Sequence, residues 1–253
     1  MAGSHTAKLM SPEQFDEEIH QRVGELWWQD HAAIHDYIQG DPTPAGMQVF
    51  SLEHCYFANR FPRWFGNLVA NCPHIEARQY MIENMFVEEV KDPSIEAGHY
   101  ESMVDFAVAT GAKRQDVYDY VPSITMVMAT HYWDAISRTR SWLDGFAGVG
   151  GLEFTNSARI ANSYNQTPLN SRDNFLAFSK KYQLGGHDMD HWEAATEADT
   201  GEDGHGQMTV DIVVRYADTP EKQRSALNSM LESIAVFKYQ YDRIGKMAFE
   251  ADK

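Results

Sequence analysis

Cysteine is scarce in this chain. Among its 253 residues there are only two, Cys55 and Cys72, and they do not form a CxxC pair. This count excludes a disulfide-stapled secreted scaffold, and the spacing excludes a cysteine zinc ribbon. We therefore expect a reducing compartment and two packed thiols.

Basic residues and long apolar runs are also few. The chain has 21 Lys and Arg against 37 Asp and Glu, and its formal net charge is -16. A surface of this sign repels a phosphate backbone, so we expect no nucleic-acid partner. No stretch approaches about eighteen consecutive apolar residues, and the N-terminus lacks a signal-peptide pattern. We therefore expect a cytoplasmic protein with no membrane partner.

Several common catalytic motifs are missing from the sequence. It contains no GxGxxG, Walker loop, GxSxG or HExxH. Dinucleotide binding, nucleotide hydrolysis, an α/β-hydrolase nucleophile and a zincin site therefore lack support.

Helical periodicity is the dominant pattern that is present. In residues 12–39, apolar side chains recur at intervals of three, four and seven, and Ser11 and Pro12 form a helix start. Further helices are predicted at residues 47–71, 74–90, 96–110, 124–145 and 219–249. Gly148, Gly150 and Gly151 are expected to interrupt the chain before Glu153. Residues 208–216 suit a strand or a helix, but no second convincing strand could pair with them.

These patterns predict an all-α protein. Residues 11–253 form one helical domain in this interpretation, and residues 1–10 are expected to be disordered or derived from a tag.

Carboxylates and histidines recur on helices that are otherwise apolar. Glu89 and His99 flank a short turn, Glu153 follows the glycines, and Asp188 and His191 are spaced to share a helical face. His187, four residues before His191, could share that face too. Each such residue alone is more often a surface or core group, but carboxylates and imidazoles from several helices together are typical ligands of non-haem iron or manganese.

Five segments and one glutamate carry a resemblance to a known family. They are FANRFPRWFGNLVANCP (57–73), EEVKDPSIEAGHYESM (88–103), HYWDAISRTRSW (131–142), Glu153, DMDH (188–191) and TPEKQRSAL (219–227). In order and spacing they resemble the haem-oxygenase-like superfamily, which contains pyrroloquinoline-quinone synthase and the haem-oxygenase-like diiron oxidases. The resemblance covers roughly residues 45–245 and implies a haem-oxygenase-like helical bundle.

The resemblance also implies a metal site. It puts ligands at Glu89, His99, Glu153, Asp188 and His191, and two Fe²⁺ ions as the cofactor. The diiron members end with His-x-x-x-Asp-x-x-His, and here the first of these positions is Leu184. Three explanations remain open. In the first, which we favour, His187 replaces the lost ligand, because Gly185 and Gly186 can redirect the chain. In the second, His205 supplies that ligand. In the third, the protein holds one metal or none.

The activity implied by the resemblance is that of a non-haem iron oxidase or oxygenase. Such an enzyme would use O₂ to oxidise a small, amino-acid-derived metabolite by N-oxygenation, desaturation or C–C cleavage. Two alternatives stay open, a cofactorless oxidase like pyrroloquinoline-quinone synthase and a non-catalytic, metal-free helical binding protein.

Five further residues are candidates for binding the substrate. His31 and His35 are on the first helix, His131 and Trp133 are on the long middle helix, and Arg159 could anchor a substrate carboxylate through its guanidinium. Helical bundles of this kind often dimerise, so a homodimer is a further expectation.

Overall fold

A computed structural model describes residues 8–199 and 204–253. Within these ranges the chain forms fourteen α-helices and two 3-10 helices, with no strand, so the predicted all-α class is confirmed. The α-helices are α1 Pro12–Trp28, α2 Ala33–Gln39, α3 Pro44–Ala58, α4 Phe61–Asn71, α5 Ile75–Glu89, α6 His99–Ala109, α7 Arg114–Tyr118, α8 Ile124–Thr139, α9 Trp142–Phe154, α10 Ala158–Ser163, α11 Leu176–Tyr182, α12 Asp190–Asp199, α13 His205–Tyr216 and α14 Pro220–Ala251. The 3-10 helices are Arg172–Phe175 and Gly186–Met189.

Local sequence signals start several of these helices. Ser11 caps α1 in a capping box with Gln14, and Pro12 occupies the first turn. Thr219 caps α14 in front of Pro220. The 32 residues of α14 run through the bundle and pack against α1, α2, α3, α8 and α9.

Three of the predicted long helices are broken. The segment 12–39 divides into α1 and α2, and the segment 47–71 divides into α3 and α4. The helix predicted at residues 124–145 ends at Thr139, and Ser141 caps a new helix by accepting a hydrogen bond from the Asp144 amide. The segment 208–216 is helical, in α13.

The predicted interruption at the glycines is wrong. Gly148, Gly150 and Gly151 lie inside α9, which reaches Phe154. A Cβ atom on Gly150 would lie 2.6 Å from Thr209 Oγ1, and one on Gly151 would lie 2.6 Å from Met230 Cγ. The glycines therefore let α13 and α14 approach α9 closely, and they continue the helix that carries Glu153 into the interior.

An aromatic core fills the bundle. Trp27, Trp64 and Trp133 are almost completely buried, and Phe237 of α14 stacks on Trp27 with 5.5 Å between ring centres. Both cysteines are buried. No helix in the described part of the chain is long and apolar enough to cross a membrane.

The N-terminal segment is only partly described. Residues 1–7 of the segment 1–10 lie outside the described residues. Met10 is tied to α14, because its amide and carbonyl each form a 3.0 Å hydrogen bond with the Gln223 side chain.

Candidate metal centre

A small cavity in the bundle is walled by α3, α4, α5, α6, α9, α12 and α14. Its volume is about 60 Å³, room for about two water molecules. Aromatic side chains form its apolar wall, at Phe57, Phe61, Phe237 and Tyr241. Its side chains with ligand chemistry are His54, Glu88, His99, Glu153 and His191.

Glu153 enters the cavity from the C-terminal end of α9 and is held by two donors. Asn84 Nδ2 donates to its Oε1 at 2.8 Å, and the Tyr80 hydroxyl, 3.2 Å from its Oε2, divides its single proton between this oxygen and the His205 carbonyl oxygen at 2.8 Å. Burial raises the pKa of Glu153 to about 8, helped by the nearby Glu88 charge and opposed by the two donors. A buried carboxyl of this kind gains from a cation beside it.

His99 lies between two carboxylates where α6 starts against the end of α5. Its Nδ1 is 3.0 Å from Glu88 Oε1, and its Nε2 is 2.9 Å from Asp92 Oδ2. Gly98 allows this approach, because a Cβ atom there would lie 2.8 Å from the Glu88 carbonyl oxygen. Burial alone would raise the pKa of Asp92, but hydrogen bonds from His99 and Ser94 hold it well below its usual value.

Both carboxylates are satisfied if the contact between Glu88 and Nδ1 holds a proton, on either partner, or if a cation replaces that proton. In the second case Asp92 would accept the Nε2 proton and fix the ring, which is how carboxylates commonly support metal-bound histidine.

His191 contributes an unpartnered nitrogen. Its Nδ1 is 3.2 Å from the His99 carbonyl oxygen, which can only accept, so Nδ1 carries the proton. Nε2 therefore has a lone pair, and in the described structure this buried atom has no hydrogen-bond partner. Burial, reinforced by His54 and His99, holds the pKa of His191 well below its usual value, so the ring is neutral.

Three predicted ligands meet in this cavity, His99, Glu153 and His191. Glu89 does not. It is exposed at the end of α5, and the preceding Glu88 faces the cavity instead. Neighbouring residues of a helix point about 100° apart, so only one of the two carboxylates can face inward.

His187 and Asp188 also lie outside the cavity lining. Both are in the 3-10 helix that precedes α12, so Asp188 and His191 do not share an α-helical face. Asp188 Oδ2 accepts a hydrogen bond from the Gly185 amide at 3.1 Å, and His187 is exposed and pairs with Asp190 at 2.8 Å. The proposed replacement of the missing ligand by His187 is therefore not supported by its position. Leu184 packs, partly buried, against the hydrophobic core.

His205, the other candidate for that role, lies closer. Its Nδ1 is 3.8 Å from Glu153 Oε1 at the start of α13. It lines a neighbouring surface recess of about 310 Å³ together with Asp92.

None of the five predicted substrate-binding residues lines the cavity. His31 pairs with Asp36, and His131 is exposed. Arg159 is at the surface, where it binds Asp16 and Glu17, so it is not an anchor for a ligand inside the bundle.

The other two residues of that set are buried in the core. His35 packs beside Trp27 and Trp28, and Trp133 donates its indole N–H to Ser233 Oγ at 2.9 Å.

The sequence analysis missed Glu88 and His54, although their helices carry a signal for both. The buried positions Ala77, Tyr80, Asn84 and Glu88 of α5 follow helical spacing, and Phe50 and His54 of α3 do the same. Tyr241, whose hydroxyl is 2.8 Å from His54 Nδ1, is 187 residues away in the chain. No local pattern predicts that contact.

The donor set fits an iron ion in its chemistry. Among residues 8–199 and 204–253, no group of three or more His, Cys, Asp or Glu side chains is arranged to hold a metal as the side chains stand. Nevertheless, the cavity offers the mixed oxygen and nitrogen ligands that non-haem iron takes. They are the lone pair on His191 Nε2, the neighbouring Glu88 carboxylate and His99 imidazole, and the buried Glu153 carboxyl.

Solved structures with the same helical arrangement define the class of the fold. A domain of unknown function with a haem oxygenase-like fold from Shewanella denitrificans OS217 is 15% identical, with a TM-score of 0.68 over 95% of this chain and 94% of that one. A TenA homologue from Pseudomonas syringae pv. tomato is 12% identical, with a TM-score of 0.67 over 98% and 99%. A CADD-like protein of unknown function from Nostoc punctiforme is 10% identical, with a TM-score of 0.63 over 96% and 97%. The fold is therefore the haem-oxygenase-like helical bundle.

Sequence comparison gives the family. The model of the iron-containing redox enzymes matches residues 48–238, and the chain belongs to that family. None of the curated proteins matches the chain in sequence.

Proposed function

We propose that the protein is an iron-dependent oxidoreductase that uses O₂ to oxidise a small molecule. The observation that carries this proposal is the donor geometry at the cavity, where His191 Nε2 has a buried lone pair and Glu88 and His99 Nδ1 face each other at 3.0 Å. Membership of the iron-containing redox enzyme family supports it.

The residues that would hold the metal are Glu88, His99, Glu153 and His191. We propose one iron per chain, because the second site of the diiron pattern would need ligands at positions 184 and 188. Leu184 has no donor, and Asp188 is engaged by the Gly185 amide. When bound, ferrous iron would bind and activate O₂, and the small molecule that is oxidised would supply the electrons.

The chain supports this chemistry by fixing the ligands in a small, largely buried cavity. Asn84 and Tyr80 orient the Glu153 carboxyl, Asp92 fixes the ring of His99, and the His99 carbonyl fixes the tautomer of His191. The aromatic wall limits the cavity to about two water molecules, and its low polarity strengthens electrostatic interactions inside it.

The substrate in this proposal is a neutral or amine-bearing molecule that docks in the neighbouring recess. Two residues of the recess contact residues of the cavity, Asp92 at 2.9 Å from His99 and His205 at 3.8 Å from Glu153, and the volume of the recess is in the range of small-ligand sites. Its charged lining is Glu83, Asp92 and Glu197, and neither its described lining nor that of the cavity includes Lys or Arg. A substrate carboxylate would lack a cationic partner here.

Anaerobic reconstitution with Fe²⁺ tests the proposal. After removal of loose metal, we expect about one iron per chain, and O₂ uptake that small amines stimulate more than carboxylates of matched size. Glu153→Gln should lose most of the iron, whereas Glu250→Gln, at an exposed position near the end of α14, should retain it.

A metal-free function is the competing candidate, and one observation favours it. Protons on His99 would be enough to satisfy both carboxylates, because its two ring nitrogens lie within hydrogen-bond distance of Glu88 and Asp92. If the reconstituted wild-type protein retains no iron and consumes no O₂, the iron proposal is wrong and the cofactorless or binding alternative takes its place.

A further inference from the structure

We infer that His54 of α3 is an additional ligand of the metal in this cavity, beside Glu88, His99, Glu153 and His191. This inference rests on the proposed function. It adds a ligand from a helix to which the sequence analysis assigned none.

The first argument is the position of the ring. His54 lines the cavity together with His99 and His191, and it is 6% exposed. The ring centre of His191 lies 5.5 Å from that of His54 and 6.0 Å from that of His99. Two imidazoles bound to one metal at about 2.1 Å have ring centres about 5 to 6 Å apart. His191 therefore has ligand-like spacing to both His54 and His99, and small side-chain movements would bring the three rings around one ion.

The second argument is the orientation of the nitrogens. Nδ1 of His54 is 2.8 Å from the Tyr241 hydroxyl oxygen. In the tautomer with the proton on Nδ1, this nitrogen donates to the hydroxyl oxygen and Nε2 keeps a lone pair. A hydrogen bond at one ring nitrogen that fixes the other for the metal is the usual support of a histidine ligand.

A purely structural role makes a different prediction. The ring of His54 also packs against Phe50 and Phe57, with centres 5.5 and 5.8 Å away. If packing were its only role, His54→Phe would preserve it, since the phenyl ring fills similar space among aromatic neighbours. The metal would then bind as before.

Cobalt binding separates the two roles without any activity measurement. Anaerobic Co²⁺ titrations would record the visible absorption of the bound ion, which reports its ligands, and the metal content per chain. We expect His54→Phe to weaken Co²⁺ binding about tenfold or more and to change the spectrum. His131→Phe, an exposed histidine of α8, is the matched control and should match the wild type.

Chemical rescue gives a second measurement that does not depend on the phenylalanine variant. His54→Gly leaves space for a free imidazole, and added imidazole should restore the wild-type cobalt spectrum. Wild-type affinity and spectrum in folded His54→Phe, or a His54→Gly spectrum that imidazole does not alter, would overturn the inference while the proposed function stands. Failure of the wild-type protein to bind Co²⁺ or Fe²⁺ would instead remove the proposed function, and this inference with it.

Discussion

At the scale of single residues, the environment separates side chains of identical chemistry. Glu88 and Glu89 are adjacent at the end of α5, yet Glu88 is buried against His99 and Glu89 is exposed. The short turn before His99 and the family resemblance both favour Glu89. The helical phase of α5, set by Ala77, Tyr80 and Asn84, selects Glu88.

A matched pair of variants tests this assignment. Glu88→Gln removes a negatively charged oxygen from the cavity, so we expect at least a tenfold loss of Fe²⁺ affinity. Glu89→Gln makes the same chemical change about 100° around the helix and should alter the affinity less than twofold. Equilibrium titration under anaerobic conditions measures both. A greater loss in Glu89→Gln would show that the resemblance, and not the helical phase, identifies the ligand.

His35 provides a test at a residue away from the cavity. Burial beside Trp27 and Trp28 lowers its pKa from 6.5 to about 4. The unfolded chain therefore binds a proton at higher pH than the folded protein does, and stability is lost as the pH falls from about 6.5 through about 4. This shift corresponds to at most about 3 kcal/mol.

We expect His35→Phe to lose less stability than the wild type on acidification from about pH 7 to about pH 4.5. Urea unfolding of metal-free protein across this range gives the two curves. Because His54 and His191 contribute to both proteins equally, only the difference between the curves reports His35. Parallel curves would contradict the proposed effect of burial on this side chain.

At the scale of helices, the sequence predicts which segments are helical better than where they break. Apolar periodicity predicts α1, α5, α6 and α14, because it reflects the face that each helix buries. The glycines of α9 mislead, because their usual role as helix breakers is overridden by close packing of α13 and α14. The Asp188–His191 spacing misleads as well. It predicts a shared face of one α-helix, but Asp188 lies in a 3-10 helix.

In the candidate metal site too, local sequence predicts some of the residues but not the contacts between distant helices. His99, Glu153 and His191 could be predicted because each is a ligand-type residue at a recognisable position along the chain. The His54–Tyr241 contact and the support of Glu153 by Tyr80 depend on packing between distant helices. Such contacts follow from the tertiary structure and not from local sequence.

Packing of α9 against α13 gives a test at this scale. A methyl group at Gly150 would lie 2.6 Å from Thr209 Oγ1 and 2.7 Å from Thr209 Cγ2, so rotation of the threonine cannot relieve both contacts. We expect Gly150→Ala to destabilise the protein by about 1 to 3 kcal/mol. It should also weaken metal binding, because Thr209 Oγ1 is 3.1 Å from the Tyr80 hydroxyl that holds Glu153.

Gly66→Ala is the control for that variant. Gly66 lies inside α4. Apart from its chain neighbours and the backbone of its own helix, no described atom would lie within 4 Å of a Cβ atom there. Alanine should stabilise this helix by about 0.5 to 1 kcal/mol. Thermal unfolding with Co²⁺ titration of each variant measures both effects, and equal stabilities of the two variants would argue against close packing at Gly150.

At the scale of the whole molecule, net charge and cavity lining favour the same class of ligand. The formal charge is -16, and the charged side chains of the described cavity and recess are acidic or histidine. Anions are disfavoured by both the general surface charge and the local one. Cations, including Fe²⁺ and protonated amines, are attracted by both.

This charge predicts how salt affects metal entry. Trp192 lies beside His191, with ring centres 4.7 Å apart, so a paramagnetic ion at His191 should quench its fluorescence. In stopped-flow mixing with Co²⁺, we expect the association rate to fall severalfold between about 10 mM and about 200 mM KCl, because the Debye length shortens. The quenching in Glu153→Gln, which should lack the metal site, is the background. It is subtracted from the wild-type quenching before the association rate is calculated. A rate that is unchanged or faster at high salt would show that motion of the cavity wall, and not electrostatic attraction, limits entry of the ion.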